Sequence, residues 1–143
     1  MVVKKVFLNR ENGSKQKGWE MQGLQKSKAF NGKDIRDIVI QSINKGQERG
    51  GHYHKQKTEW FFAIAGKAKV LWCECAHEKG AKKKDRKEIL LEADYENPYL
   101  IEITPETCHW VKNDLDCDFR MIAFSSEEFN RDNSDNPKCE CLA

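Results

Sequence analysis

Between Gly46 and Gly66 the chain reads Gly-Gln-Glu-Arg-Gly-Gly-His-Tyr-His-Lys-Gln-Lys-Thr-Glu-Trp-Phe-Phe-Ala-Ile-Ala-Gly, and no other stretch restricts the fold as strongly. Side chains alternate across an extended strand, so His52 and His54 face the same way there. Glu59 lies five residues beyond His54 and opens a nearly continuous apolar run, Glu59–Ala65, which Gly66 ends. A short apolar run bounded by glycine suits a buried strand better than a helix. Two imidazoles and a carboxylate form a ligand set that zinc, iron, manganese or nickel accepts. His109 follows Pro105-Glu106-Thr107-Cys108, with Asn113 four residues later, and offers a fourth ligand from another strand.

Short extended segments continue on both sides. Val2–Leu8 reads as a strand and Asn12-Gly13-Ser14 as a turn. Trp19 to Phe30 mixes apolar and basic residues without periodicity, which leaves Trp19 and Phe30 as core or interface residues. Ile35–Ile43 is β-branched, with Ile38 and Ile40 on one face. Lys67–His77, Glu88–Ala93, Tyr99–Thr104, Cys108–Asn113 and Cys117–Ser125 read as further strands. Trp60, Trp72 and Trp110 are read as core, although one at a cavity mouth would stack on a nucleotide base. About eight short strands, frequent turn signals and little helical periodicity predict an all-β sandwich or barrel. After Glu128 the chain turns polar and is expected to be loosely attached or disordered.

The 143 residues are read as one domain, with the motif-bearing barrel at 35–128 and a polar tail at 129–143. Apolar residues are 38% and charged residues 34%, which describes a rather polar, soluble protein. Net charge is +2 with the signs interspersed, so neither nucleic acid nor an anionic membrane is an expected partner. The apolar run at the N-terminus is too short for a secretory segment, and no span reaches transmembrane length; the expected location is the cytoplasm. In that reducing setting the six cysteines are expected as free thiols. Two departures are conceivable: Cys73, Cys75 and His77 sharing a strand face as a second soft-metal site, or Cys139 and Cys141 cross-linking. Gly80–Lys87 is a basic hairpin tip, with a phosphate-attracting patch as the alternative.

The spacing of Gly46, His52, His54, Glu59 and Gly66 resembles the first signature of the cupins. Pro105, His109 and Asn113 resemble the second, with Glu106 where glycine is usual. That departure is expected to alter the turn before His109. The resemblance implies a double-stranded β-helix, the jelly-roll cupin barrel, with ligands in its mouth. Arg49-Gly50-Gly51-His52-Tyr53-His54 and Ser125-Ser126-Glu127-Glu128-Phe129 are similar to the cupin domains of nucleotide-sugar modifying proteins. These include capsular-polysaccharide biosynthesis reductases, dTDP-4-keto-sugar 3,5-epimerases and 3,4-ketoisomerases.

From the resemblance, an isomerase or epimerase of a nucleotide-activated keto-sugar in surface-polysaccharide synthesis is expected. His52 would be the general base, a role that suits a side chain titrating near neutrality. Arg49 would grip phosphates with its planar guanidinium, and Asn113 is placed with it as substrate-binding. Tyr53 and Tyr99 are the candidate proton donors. A divalent metal on His52, His54, Glu59 and His109 would polarise the keto oxygen. A homodimer formed by strand exchange is also implied. The same ligand set admits an iron-dependent dioxygenase, and a non-catalytic sugar- or small-molecule-binding cupin is the third reading.

Overall fold

A computed structural model describes residues 3–8, 10–11, 20–21, 23–74, 86–132 and 134–139. Its strands are β1 (Val3–Phe7), β2 (Arg10–Glu11), β3 (Glu20–Met21), β4 (Asp37–Ile43), β5 (Glu48–His52) and β6 (Glu59–Ala65). They continue with β7 (Lys67–Cys73), β8 (Lys87–Glu92), β9 (Tyr99–Ile103), β10 (Cys108–Lys112) and β11 (Phe119–Ser125). One antiparallel sheet has the order β1-β9-β6-β11-β4 and the second has β5-β10-β7-β8; β2 and β3 form a small ribbon. None of the described residues forms a helix long and apolar enough to cross a membrane.

The alternation read in the sequence sets which faces meet. Phe61 and Ala63 of β6, Met121 and Ala123 of β11, and Ala68, Val70 and Trp72 of β7 bury themselves between the two sheets. The five-stranded sheet has a second covered face, where Ala29 and Phe30 pack on Trp60, Leu100 and Phe124. Phe30 meets the Trp60 ring edge-on at 5.2 Å, which assigns it to the core. The Trp60 indole donates to buried Glu102, which also pairs with Lys4. Ile38 and Ile40 share a face of β4, but that face is exposed at the sheet edge.

Two expectations are corrected. Residues 134–139 are not loose: Cys139 donates its amide to Gly51, Pro137 accepts from the Tyr53 amide, and His52 bridges Lys138. Nor are the thiols all free, since Cys108 and Cys139 form a disulfide, with Cys73 packed beside them. The expected Cys75, His77 and Cys141 partners, the Asn12–Ser14 turn, Trp19 and most of the basic tip lie outside the described residues.

Candidate functional site

Three local features bring the histidines together. First, β5 ends at His52, which pairs with His109 at the start of β10. The next pair is Trp110 with Gly50, so Gly51 is the extra residue of a β-bulge that sets the two histidines side by side. Second, Gly50 lets the strands approach, because a Cβ there would lie 2.7 Å from the Trp110 Cα. Third, the chain turns after His54 and enters the opposite sheet at Glu59, so the site spans both sheets at one end of the barrel.

The turn before His109 forms without the usual glycine. Glu106 adopts a φ of 63°, a left-handed conformation that glycine takes without steric cost. Its amide donates to the His54 carbonyl at 2.6 Å, joining the two histidine-bearing segments. Glu106 thus takes a conformation that glycine favours, and the backbone carries the strain.

The rings of His52, His54 and His109 have centroids 4.9 to 5.5 Å apart. Glu59 faces two of them, with Oε2 3.1 Å from His109 Nε2 and Oε1 3.3 Å from His54 Nε2. That second contact is an ion pair whose angle does not complete a hydrogen bond. The remaining nitrogens of these two rings are anchored on backbone. His109 Nδ1 donates to the Thr107 carbonyl at 2.9 Å, and His54 Nδ1 to the Asp135 carbonyl at 2.5 Å.

The His52 ring makes no hydrogen bond or ion pair among the described residues. Burial, then the charges of His109 and His54, push its pKa down to about 4, so it is neutral at pH 7. His54 shifts the other way: burial would lower it, but the Glu59 contact and the Asp135 carbonyl raise it. Burial would likewise raise Glu59, yet the His109 and His54 rings beside it outweigh that and hold the carboxyl well below its usual range.

The three histidines can hold a metal, because one nitrogen from each lies within 4.8 Å of the others. The donor chemistry also fits. Anchoring Nδ1 on a carbonyl leaves Nε2 as the ligand atom, the arrangement metal-binding histidines use. Glu59 stands against two of these nitrogens but is not part of the three-histidine cluster.

A cavity of about 580 Å³ opens over this group, and Arg49, His52, His54, Glu59 and His109 all line it. The other sequence candidates stand elsewhere. The Tyr99 hydroxyl donates to Leu90 and accepts from the Glu92 amide, which ties it to β8. Tyr53 packs against the Cys73, Cys108 and Cys139 cluster. Asn113 is wholly buried, donates to the Ile43 and Cys117 carbonyls and braces the turn at Gly46. Neither tyrosine nor Asn113 lines the cavity.

Two residues absent from the sequence reading do contribute. Lys57 is only 7% exposed, lines the cavity and acts electrostatically on His52 and His54. Its signal was available, since Lys57, Glu59 and Phe61 follow the period-two pattern of one strand face. Asp135 carried none, because nothing in a polar tail announces a partner 81 residues upstream.

A two-sheet antiparallel barrel with a histidine cluster and a glutamate at its mouth has the cupin fold. The polysaccharide biosynthesis C-terminal domain family matches residues 28–137, and the chain belongs to that family. No curated protein matches it by sequence. Among solved structures it resembles a mutant of the 3,4-ketoisomerase QdtA from Thermoanaerobacterium thermosaccharolyticum in complex with TDP-4-keto-6-deoxyglucose. Identity there is 16% and the TM-score 0.71, over 92% of this chain and 85% of that one. It also resembles the RmlC epimerase of Mycobacterium tuberculosis, with 16% identity and a TM-score of 0.71, over 92% of this chain and 66% of that one. A third likeness is to the capsular polysaccharide assembling protein CapF of Staphylococcus aureus. It has 20% identity and a TM-score of 0.60, and covers 76% of this chain but 27% of that protein. These likenesses share the jelly-roll fold expected from the sequence.

Proposed function

We propose that the chain is an isomerase or epimerase of a nucleotide-activated keto-sugar, with His52 as the base that removes the proton next to the keto group. The observation that carries this is the state of the His52 ring: neutral, free of hydrogen bonds to the described residues, and in the cavity wall. The family and the nucleotide-sugar enzymes that share the fold support the substrate class.

The other roles follow from charge and position. Removing a proton beside a carbonyl leaves negative charge on the keto oxygen, which fixed cations stabilise best where water is scarce. Lys57 lines the wall nearby and supplies that charge. Arg49 lies exposed at the rim and is suited to grip a diphosphate. Glu59 keeps His54 and His109 in place by pairing with both. In a metal-loaded form a divalent cation, zinc, iron, manganese or nickel, would be held by His52, His54 and His109 and would supply Lewis-acid charge to the same oxygen, with His52 then a ligand and not the base. Two copies are expected to meet along β4, an edge strand where Ile38 and Ile40 are exposed.

The test is incubation of purified protein with TDP-4-keto-6-deoxyglucose, followed by proton NMR. Appearance of the 3-keto isomer or of an epimer at C3 or C5 is expected. An unchanged sugar, with and without added divalent metal, would overturn the reading for this substrate.

A further inference from the structure

A polar tail has little apolar surface with which to hold itself to a barrel, so what holds it must be specific. Asp135 is held at three atoms: Oδ1 accepts from the Lys55 amide at 2.8 Å, Oδ2 from the Gln56 amide at 3.1 Å, and the carbonyl oxygen from His54 Nδ1. The carboxylate grips the turn that carries the histidine, and the carbonyl grips the histidine itself. Flanking bonds extend the attachment through the Pro137 carbonyl and the Cys139 amide to the Cys108–Cys139 disulfide. Asn136, between them, lines the cavity.

This arrangement has a chemical consequence. An imidazole offers two nitrogens, and its partner at one decides what the other presents. With Nδ1 committed to the Asp135 carbonyl, His54 directs Nε2 at Glu59 and the cavity. Without the carbonyl, the ring could rotate or exchange tautomers. His109 needs no such help, because its carbonyl partner, Thr107, lies two residues away.

We propose that Asp135 is the positioning residue for His54, so that the C-terminal segment 134–139 is a working part of the site. The inference rests on His54 belonging to the working cavity, and its test is independent of which reaction occurs there.

Proton NMR of protein with ¹⁵N-labelled histidine reads the anchored Nδ1–H groups as slowly exchanging downfield resonances. The wild type is expected to show one for His54 and one for His109. Asp135→Ala should lose the His54 signal and keep that of His109, whereas Asp135→Asn, which retains a side-chain acceptor for the turn amides, should restore it. Affinity for zinc alone should fall roughly 10- to 100-fold in the alanine variant, as for other residues that orient ligands. In the keto-sugar assay kcat should fall with KM unchanged. A His54 resonance that survives Asp135→Ala would overturn the proposal, and so would simultaneous loss of both resonances, which would assign Asp135 to the fold at large. A wild type that turns over no keto-sugar would sink the isomerase reading, while the NMR result would still decide the role of Asp135.

Discussion

His109 and His54 sit on opposite sides of Glu59 and are held in opposite ways. His109 belongs to β10 of a continuous sheet, and its anchoring carbonyl is two residues away. His54 stands in the loop between sheets, and its anchor arrives from the tail, 81 residues along the chain. The first attachment forms whenever β10 forms. The second depends on long-range closure, a carboxylate clamp and a disulfide. The comparison teaches that one half of this site is intrinsic to the barrel and the other is built by a segment that can be detached.

Removing what the two halves share should have the largest effect. Glu59→Ala leaves two buried imidazoles without their common carboxylate partner, and removing one member of such a buried pair costs on the order of 3–5 kcal/mol. Urea unfolding of the metal-free variant should show that loss, and turnover should vanish with it. A small change in stability would mean that neither histidine depends on Glu59.

Detaching one half is the sharper perturbation. Cys139→Ser opens the link that ties the tail to β10. Loss of a disulfide closing a loop of this size typically costs about 2–4 kcal/mol. Unfolding measured without reductant should register the loss, and the His54 environment should change while that of His109 stays. An equal disturbance of both histidines would erase the distinction between the two halves.

Acidity separates the groups again. In chelator-treated protein His52 refuses a proton until pH about 4, while the unfolded chain takes one at its ordinary 6.5, so stability should fall as pH drops across that window. Glu59 has a depressed pKa and adds a further loss below its ordinary 4.5. His54 has a raised pKa, so its contribution is complete below 6.5 and is lost as pH rises through the folded value. Thermal melts of the metal-free protein should therefore be highest near pH 6.5. A melting temperature that is flat from pH 4 to 7 would contradict the assignment for His52.

The smallest expected effect is a gain. Glu106→Gly relieves a left-handed residue that costs roughly 1 kcal/mol, offset in part by the greater freedom of glycine in the unfolded chain. A slightly higher melting temperature with unchanged activity is expected, and a lower one would show that the Glu106 side chain contributes more than its backbone strain costs.

The same contrast explains what was legible in the sequence. His52 and His54 could be read as neighbours from strand periodicity, while Glu59 and His109 joined them through the resemblance to the cupin signatures; the all-β class emerged from alternating segments. Tyr99 was misplaced because its hydroxyl partners, Leu90 and Glu92, depend on how β8 sits beside it. Asn113 has the composition of a binding residue, but spacing does not reveal that its amide is spent on Ile43 and Cys117. Asp135 was hidden most completely. Its partners are backbone groups far upstream, and low hydrophobicity in the tail argued for disorder.

The most direct test of the central claim follows solvent deuterium into a 4-keto nucleotide sugar, comparing wild type with His52→Asn. The account predicts deuterium at the carbon beside the keto group in the wild type. Exchange should slow about 10²- to 10⁴-fold in the variant, the range expected for loss of a general base. Equal exchange in the two proteins would remove His52 from the chemistry, and no exchange in the wild type would remove the chemistry from this site.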